Sequence, residues 1–171
     1  MKGKISMLLA AVCSIFGGTC CAGEPLELGK GVPEVEAKTQ EGKTIKLHEE
    51  GAKGWMLVYF YPKADTPGCT KQACSLRDAY ATLTEKGVKV FGVSTDTVEE
   101  QKAFAEKFKL PFTLLADKEA VVVKKFGVPT MKGDAFASRQ AYLFKDGKLV
   151  WRDLKASTEQ QAADVLKEIG E

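Results

Sequence analysis

Metal ligands, histidine above all, are scarce in this sequence. Its 171 residues contain one histidine, His48, and five cysteines, of which Cys13, Cys20 and Cys21 lie near the start of the chain. A structural zinc site takes about four such ligands, and His48 stands in the polar stretch LHEE, where a solvated side chain is expected. We therefore expect no zinc or copper site, and the sequence indicates no other cofactor.

An excess of charge of either sign is also missing. The chain has 25 Lys and Arg residues against 23 Asp and Glu residues, and no run of basic residues exceeds two. Nucleic-acid binding depends on basic patches that neutralise phosphates. We therefore expect no nucleic-acid partner and no charge-driven membrane binding, so that the partner is a small molecule or another protein.

A hydrophobic run at the N-terminus is too short to span a bilayer, which takes about 20 apolar residues. Residues 1–22 combine two lysines, the 12-residue apolar run ISMLLAAVCSIF and the small residues GGTCCA, which is the layout of a secretory signal peptide. We expect cleavage after Ala22 and export to the periplasm or another extracytoplasmic compartment. The alternative is a lipoprotein signal, with the protein anchored to the membrane through Cys20 or Cys21.

Residues 23–171 are predicted to form one α/β domain. The run WMLVYFYP (55–62) is continuously apolar and rich in β-formers, which is typical of a strand buried on both faces. Alternating strands and helices predict a central mixed β-sheet flanked by helices, with an N-terminal β-hairpin. The other predicted elements are strands at 88–95 and 112–117, helices at about 69–86, 97–108, 119–127 and 158–170, and hairpins that turn at Glu41-Gly42 and Asp146-Gly147.

Two cysteines remain after residue 22, and they lie five positions apart in DTPGCTKQACSLRD (65–78). On one regular helix, the Cα atoms of Cys69 and Cys74 would be roughly 8.7 Å apart. A disulfide needs Cα atoms within about 7 Å, so the two thiols can bond only if the first turns of the helix unwind. A static structural disulfide is therefore disfavoured, and a pair that bonds transiently is predicted.

The two cysteines are predicted to have different roles. Cys69 stands at the expected start of the helix, where unpaired N–H groups and the helix dipole favour a thiolate. Thr66 lies just before it and offers a hydroxyl to the thiolate or to a substrate oxygen. Cys74 lies deeper in the helix, where the dipole helps less. We therefore expect Cys69 to attack and Cys74 to resolve.

The stretch YPKADTPGCTKQACSLRD (61–78) resembles the peroxiredoxin active-site signature, in which a Pro, a Thr and a Cys have the spacing of Pro62, Thr66 and Cys69. A second cysteine five residues after the first is similar to the bacterioferritin-comigratory, or Q-type, subfamily. The resemblance continues through residues 92–117 and through SRQAYLFKDGKLV (138–150), where Arg139 matches the second active-site arginine of the family. It extends from about residue 25 to the C-terminus.

This resemblance implies a thioredoxin-like fold and a peroxidase that works without a cofactor. Cys69 would attack hydrogen peroxide or an organic hydroperoxide and become a sulfenic acid. Arg139 would stabilise the thiolate and donate hydrogen bonds to the peroxide, Thr66 would position both, and Pro62 would shield the site from water. Cys74 would then form an intramolecular disulfide with Cys69, which a thioredoxin-like or other dithiol protein would reduce. Relatives of this type suggest a monomer.

Three positions depart from the family pattern. The family usually has Glu at the position of Gln72, Phe at that of Leu76, and Ser or Thr at that of Gln140. None of these changes removes a thiol or the arginine, so they bear on the packing of the helix, on its unwinding and on the tuning of the site.

Two other functions remain as alternatives. One is an exported thioredoxin-like disulfide oxidoreductase, although the chain lacks the Cys-x-x-Cys spacing of such proteins. The other is a copper-delivery domain, which the number of ligands disfavours.

The N-terminal prediction is tested by mass spectrometry of the protein purified from the cells that produce it. We expect a mature chain that begins at Gly23, since Cys20 and Ala22 supply the small side chains that signal peptidase prefers. A chain that begins with a lipid-modified cysteine would support the lipoprotein alternative, and an intact N-terminus would contradict export.

Overall fold

The computed structural model describes residues 23–170, in which helices cover both faces of a seven-stranded sheet. The signal peptide predicted for residues 1–22 lies outside the described residues. Within residues 23–170, no helix is both long enough and apolar enough to cross a bilayer. The elements follow the chain as β1 (Glu36–Thr39), β2 (Thr44–Lys46), α1 (Leu47–Glu50), β3 (Trp55–Phe60), α2 (Pro67–Asp78), α3 (Tyr80–Glu85), β4 (Val88–Ser94), α4 (Val98–Phe108), β5 (Thr113–Ala116), α5 (Val121–Lys125), β6 (Thr130–Met131), β7 (Phe136–Ala137), β8 (Gln140–Lys145), β9 (Lys148–Asp153) and α6 (Gln161–Glu168).

The sheet is mixed, as the sequence predicts, with the strand order β2-β1-β5-β4-β3-β8-β9. Its three central neighbours β3, β4 and β5 are parallel, while β8 runs antiparallel to β3. The predicted N-terminal hairpin is β1 with β2, and the predicted later hairpin is β8 with β9. The carboxyl end of β3 therefore lies beside the start of β8, and both lead into the region of the cysteine motif.

Strand β3 is buried on both faces, as its apolar sequence predicts. Its side chains alternate between the two faces of the sheet. Leu57 and Tyr59 pack with Cys69 and with apolar residues of α2, α3, α4 and α6. Met56 and Val58 pack on the opposite face against apolar residues of α1 and α5. The cysteine motif is thereby attached to a strand whose two faces are both covered.

The helix predicted for residues 69–86 is two helices in the structure. Helix α2 begins at Pro67, two residues earlier than predicted, and ends at Asp78, after which α3 begins at Tyr80. Between them Ala79 has a ψ angle of 1°, which turns the chain out of the helical path. This bend allows Leu83 of α3 to pack completely buried in the same core as Cys69.

The helix predicted for residues 119–127 is shorter in the structure. Ala120 adopts the left-handed conformation with φ of 53°, so α5 begins only at the following residue. The Asp117 carboxylate accepts hydrogen bonds from the N–H groups of Val121 and Val123 at 2.8 and 2.9 Å, which fixes that start. The short elements α1, β6 and β7 were not predicted, because each is four residues or fewer and shows no clear periodicity.

Local capping and turn chemistry explain two elements that were predicted closely. Helix α4 starts after Thr97, whose hydroxyl accepts from the Glu100 N–H at 3.3 Å, while the Glu100 carboxylate accepts from the Thr97 N–H at 2.9 Å. The turn between β8 and β9 has positive φ at both Asp146 and Gly147, the conformation that favours Asp-Gly in two-residue hairpins.

The close approach of Tyr59 to Gly92 gives a test of the packing behind the site. A methyl group at position 92 would lie 2.7 Å from the Tyr59 hydroxyl and 2.8 Å from Leu114. We expect Gly92→Ala to lower the free energy of unfolding by about 1–3 kcal/mol, because overpacking forces these buried side chains to move. Urea denaturation measures the effect.

The matched control is Gly31→Ala, whose added methyl group would come within 3.9 Å only of the Gly147 carbonyl oxygen. Equal denaturation midpoints for the two variants would mean that Gly92 does not limit the packing of β3 against β4.

Candidate active site

Cys69 lies in the first turn of α2. Thr66 is the N-cap residue with extended backbone angles, and Pro67 is the first helical residue, where its missing N–H and fixed φ suit a helix start. The N–H groups of Gly68 and Cys69 fall in the first turn, where a helix offers no internal acceptor. Cys69 itself is 2% exposed. The sulfur is therefore held in a dry position at the positive end of the helix.

Arg139 contacts this sulfur directly. The pairing of β3 with β8 sets Phe60 opposite Gln140, which brings the preceding residue, Arg139, to the carboxyl end of β3. The Arg139 guanidinium is half-buried, and its Nη2 donates to Cys69 Sγ at 3.3 Å. The structure thus brings together the two residues predicted from segments 70 positions apart. The guanidinium thus places a positive charge within hydrogen-bond distance of the sulfur.

Thr66 and Pro62 lie in the segment that joins β3 to α2. The Thr66 hydroxyl donates to the Lys63 carbonyl oxygen at 3.0 Å, and its oxygen can still accept a hydrogen bond. Within the described residues, Thr66 makes no hydrogen bond to Cys69. Pro62 is half-buried, and its predicted role as a shield stays a prediction.

Cys74 lies on the same uninterrupted helix and is half-buried, and both cysteines are free thiols. It borders a shallow groove of about 560 Å³, whose lining includes Lys71, Ser75 and Glu159. Ser75 Oγ donates to the Glu159 carbonyl oxygen at 3.0 Å, and Lys71 pairs with the Glu159 carboxylate at the same distance. An intact turn and a half of helix therefore separates the two sulfurs, and contacts to the segment before α6 support that helix.

Two phenols of the β3 region form part of the buried surroundings of Cys69. Tyr59 and Tyr61 stack with ring centroids 5.5 Å apart, and burial raises the pKa of both phenols. Both therefore stay neutral at physiological pH. The Tyr61 hydroxyl donates to Gln101, while the Tyr59 hydroxyl has no hydrogen-bond partner among residues 23–170. In the sequence, both belong to the apolar run predicted as a strand. Because they are two positions apart, they are expected on the same face of that strand.

A buried carboxylate, not identified from the sequence, fixes the segment that carries Thr66. Asp96, which follows β4, is 3% exposed. Its Oδ2 accepts from the Ala64 N–H at 2.7 Å and from Ser94 Oγ at 2.6 Å, and its Oδ1 accepts from Lys63 Nζ at 2.8 Å. The bonds from Lys63 and Ala64 hold this segment and so determine how the chain enters α2, while the bond from Ser94 ties Asp96 to the end of β4. The hydrogen bond from Lys63 to Asp96 also raises the pKa of the lysine.

Two glutamines connect Arg139 to the last helix. Arg139 Nη1 donates to Gln72 Oε1, and Gln72 Nε2 donates to Gln161 Oε1 at the start of α6. Gln72 was identified in the sequence only as a departure from the family pattern. Gln161 falls within the helix predicted for residues 158–170, and no local pattern in the sequence links residues 89 positions apart.

The surroundings of His48 differ from the solvated side chain that the sequence predicts. His48 is half-buried, and its Nδ1 is buried without a hydrogen-bond partner among the described residues. Within residues 23–170, no group of three or more His, Cys, Asp or Glu side chains is arranged to hold a metal ion.

Comparison with known protein sequences identifies relatives over most of the described chain. The model of the AhpC/TSA family matches residues 28–152. The chain is 43% identical to peroxiredoxin Q, chloroplastic, of Sedum lineare over 122 residues, which cover 71% of this chain and 65% of the relative. It is 44% identical to the putative peroxiredoxin bcp of Coxiella burnetii over 103 residues, 60% of this chain and 68% of the relative. The match to the peroxiredoxin Q of Populus jackii spans 54% of that relative, so the plant proteins extend well beyond the aligned region.

Solved structures show the same architecture. Peroxidoxin BcpB from Mycobacterium tuberculosis has a TM-score of 0.78 and 30% identity, with 84% of this chain and 96% of that chain covered. A structure of Xanthomonas campestris peroxiredoxin Q has a TM-score of 0.75 and 27% identity, with 84% and 94% covered. These similarities confirm the predicted thioredoxin-like fold and the predicted family resemblance.

The role of Asp96 in holding the entry to α2 is tested by Asp96→Asn. An amide has one acceptor oxygen where the carboxylate uses two, so at least one donor among Lys63, Ser94 and the Ala64 N–H loses its partner. We expect the free energy of unfolding to fall by about 1–3 kcal/mol, together with a slower reaction of Cys69 with thiol reagents. Urea denaturation and thiol titration measure the two effects.

The control is Asp78→Asn, which removes a surface ion pair with Arg77 and should change stability by no more than about 0.5 kcal/mol. If Asp96→Asn behaved like this control in both measurements, the buried carboxylate would not determine the geometry of the site.

Proposed function

The chain belongs to the AhpC/TSA family, and from that premise we propose that it is a thiol peroxidase that reduces hydrogen peroxide and organic hydroperoxides. The observation that carries the proposal is the contact of Arg139 Nη2 with Cys69 Sγ at 3.3 Å, at the N-terminus of α2. A dry sulfur beside a guanidinium and free helical N–H groups is suited to act as an activated nucleophile.

In the first step, the Cys69 thiolate attacks one oxygen of the peroxide. An S–O bond forms as the O–O bond breaks, and the departing hydroxide or alkoxide takes up a proton to leave as water or alcohol. The sulfur is oxidised to a sulfenic acid, and the peroxide is reduced. Arg139 donates hydrogen bonds to the oxygens on which negative charge develops, and Thr66 orients the peroxide. Pro62 keeps bulk water away from the sulfur.

In the second step, Cys74 condenses with the sulfenic acid. The Cys74 thiolate attacks Cys69 Sγ, an S–S bond forms, the S–O bond breaks, and hydroxide leaves as water after protonation. In an intact helix the Cα atoms of the two residues are too far apart for a disulfide. The first turns of α2 must therefore unwind for this step. Helix α2 itself ends at Asp78, before α3 begins at Tyr80, so the unwinding need not extend into α3.

In the third step, an external dithiol protein reduces the disulfide by thiol–disulfide exchange and returns both thiols. The groove beside Cys74 leaves this residue half-buried, which supports Cys74 as the sulfur that the reductant approaches first. We further propose, from the signal-like residues 1–22, that the protein works as an exported monomer, with a thioredoxin-like reductant in the same compartment.

The proposed roles of the two cysteines predict different products for two single variants. After one equivalent of hydrogen peroxide, Cys74→Ser should stop at a sulfenic acid on Cys69, because the resolving thiol is missing. Dimedone labelling and mass spectrometry detect this species. Cys69→Ser should lose peroxidase activity and leave Cys74 as a free thiol.

The unsubstituted protein should lose both thiols rapidly and form the Cys69–Cys74 disulfide. Dimedone on Cys74 of the Cys69→Ser variant would reverse the assigned roles. Loss of thiols at the slow rate of free cysteine would contradict the peroxidase and favour the disulfide oxidoreductase.

A further inference from the structure

Three polar side chains from distant parts of the sequence form a line that ends at the reactive sulfur. Arg139 precedes β8, Gln72 lies on α2 midway between the two cysteines, and Gln161 begins α6. Arg139 donates to Cys69 and to Gln72, and Gln72 donates to Gln161. The two glutamines are 0% and 1% exposed, so water does not replace their hydrogen bonds.

The direction of these hydrogen bonds is fixed by chemistry. A guanidinium has donors and no acceptor, so Gln72 must turn its Oε1 toward Arg139. Its Nε2 then faces Gln161, which must turn its own Oε1 toward Gln72. The positive charge of Arg139 therefore sets the donor-to-acceptor direction of both hydrogen bonds.

The last member of this row of hydrogen bonds, Gln161, is in an energetically unfavourable position. Once Gln161 Oε1 accepts from Gln72, its Nε2 is left buried without a hydrogen-bond partner among residues 23–170. A buried donor without a partner is costly, and an apolar side chain of similar size would avoid the cost. The favourable contribution of Gln161 is therefore its acceptor oxygen, which binds Gln72.

The neutrality of Gln72 matters for the charge on Arg139. A glutamate at this position would accept the same hydrogen bond but would also neutralise the guanidinium. Within the described residues, Arg139 forms no salt bridge, and its two hydrogen-bond acceptors are the Cys69 sulfur and the Gln72 amide. A side chain at Gly68 would begin only 3.3 Å from Arg139 Nη2, so the glycine leaves room for the guanidinium beside the sulfur.

We propose that Gln72 and Gln161 form an amide relay that orients Arg139 toward Cys69 while leaving its full charge to the sulfur and the substrate. Both glutamines are positioning residues that act through Arg139. The proposal deepens the peroxidase function and rests on it for its catalytic meaning. The orientation and charge of Arg139 also affect simple alkylation of Cys69, which can be measured whether or not the protein reduces peroxides.

The test uses the full chain with Cys74→Ser, so that only the first step is observed. Two variants are added to this background: Gln72→Glu, which keeps the shape and adds a negative charge, and Gln161→Met, which keeps the size and removes the acceptor. Alkylation by iodoacetamide as a function of pH and the rate of peroxide oxidation are followed on the peptide that contains Cys69, by mass spectrometry. Arg139 is the charged side chain that contacts Cys69 among residues 23–170, and Tyr59 and Tyr61 stay neutral because burial raises the pKa of both phenols.

For Gln72→Glu, we expect the pH midpoint of alkylation to rise by about one unit and peroxide oxidation at neutral pH to slow about tenfold, because the carboxylate competes with the thiolate for the charge of Arg139. For Gln161→Met, we expect slower oxidation with an unchanged pH midpoint, since orientation is lost and charge is kept. A general loss of structure would instead lower the thermal midpoint and affect both readouts together.

The matched control is Lys71→Ala, which breaks an exposed ion pair between α2 and Glu159 and leaves the glutamines in place. If Gln72→Glu gave the pH profile and peroxide rate of this control, the charge argument would be overturned. If Gln72→Glu did not fold, a Gln161→Met protein with the oxidation rate of the control would overturn the relay. The Cys74→Ser parent could also react slowly with peroxide while its alkylation midpoint is low and rises in Gln72→Glu. That result would contradict the proposed function and support the relay.

Discussion

The hydrogen bond from Arg139 to the buried sulfur of Cys69 is the interaction on which the proposed chemistry of this protein depends. A buried thiol in an apolar core is ordinarily inert, because burial disfavours its charged form. Here a guanidinium contacts the sulfur, which lies in the first turn of α2, at the positive end of the helix. The site thereby combines exclusion of water with a fixed positive environment, which is what an attacking thiolate requires.

The fold supplies this geometry through strand order rather than through sequence proximity. Strand β3 delivers the cysteine motif at its carboxyl end, and the antiparallel β8 returns to the same edge with Arg139 before its first residue. Asp96, at the end of the parallel neighbour β4, holds the connecting segment from the other side. Three adjacent strands thus each position one part of the site: β3 the cysteine motif, β8 Arg139 and β4 Asp96. This agrees with the tendency of α/β sheets to build sites at the carboxyl ends of their parallel strands.

The sequence predicts the parts of this arrangement that depend on local pattern. The apolar run of β3 and the Asp-Gly turn follow from short-range rules, and the motif resemblance pointed to Arg139. The start of α2 lies two residues before the predicted start at Cys69. The break at Ala79 and the left-handed start at Ala120 were missed, because tertiary packing overrides a continuous helical propensity there. The contact of Gln72 with Gln161 was missed because it exists only after α6 docks against α2.

The central claim is that ordered helix keeps an activated Cys69 apart from Cys74 until oxidation lets them join. Amide hydrogen exchange across residues 67–78, measured before and after one equivalent of peroxide, tests it most directly. The account predicts strong protection of α2 in the reduced protein and its loss in the oxidised protein, while α4 remains protected in both. Formation of the disulfide with unchanged protection of α2, or an unprotected α2 in the reduced protein, would contradict the account.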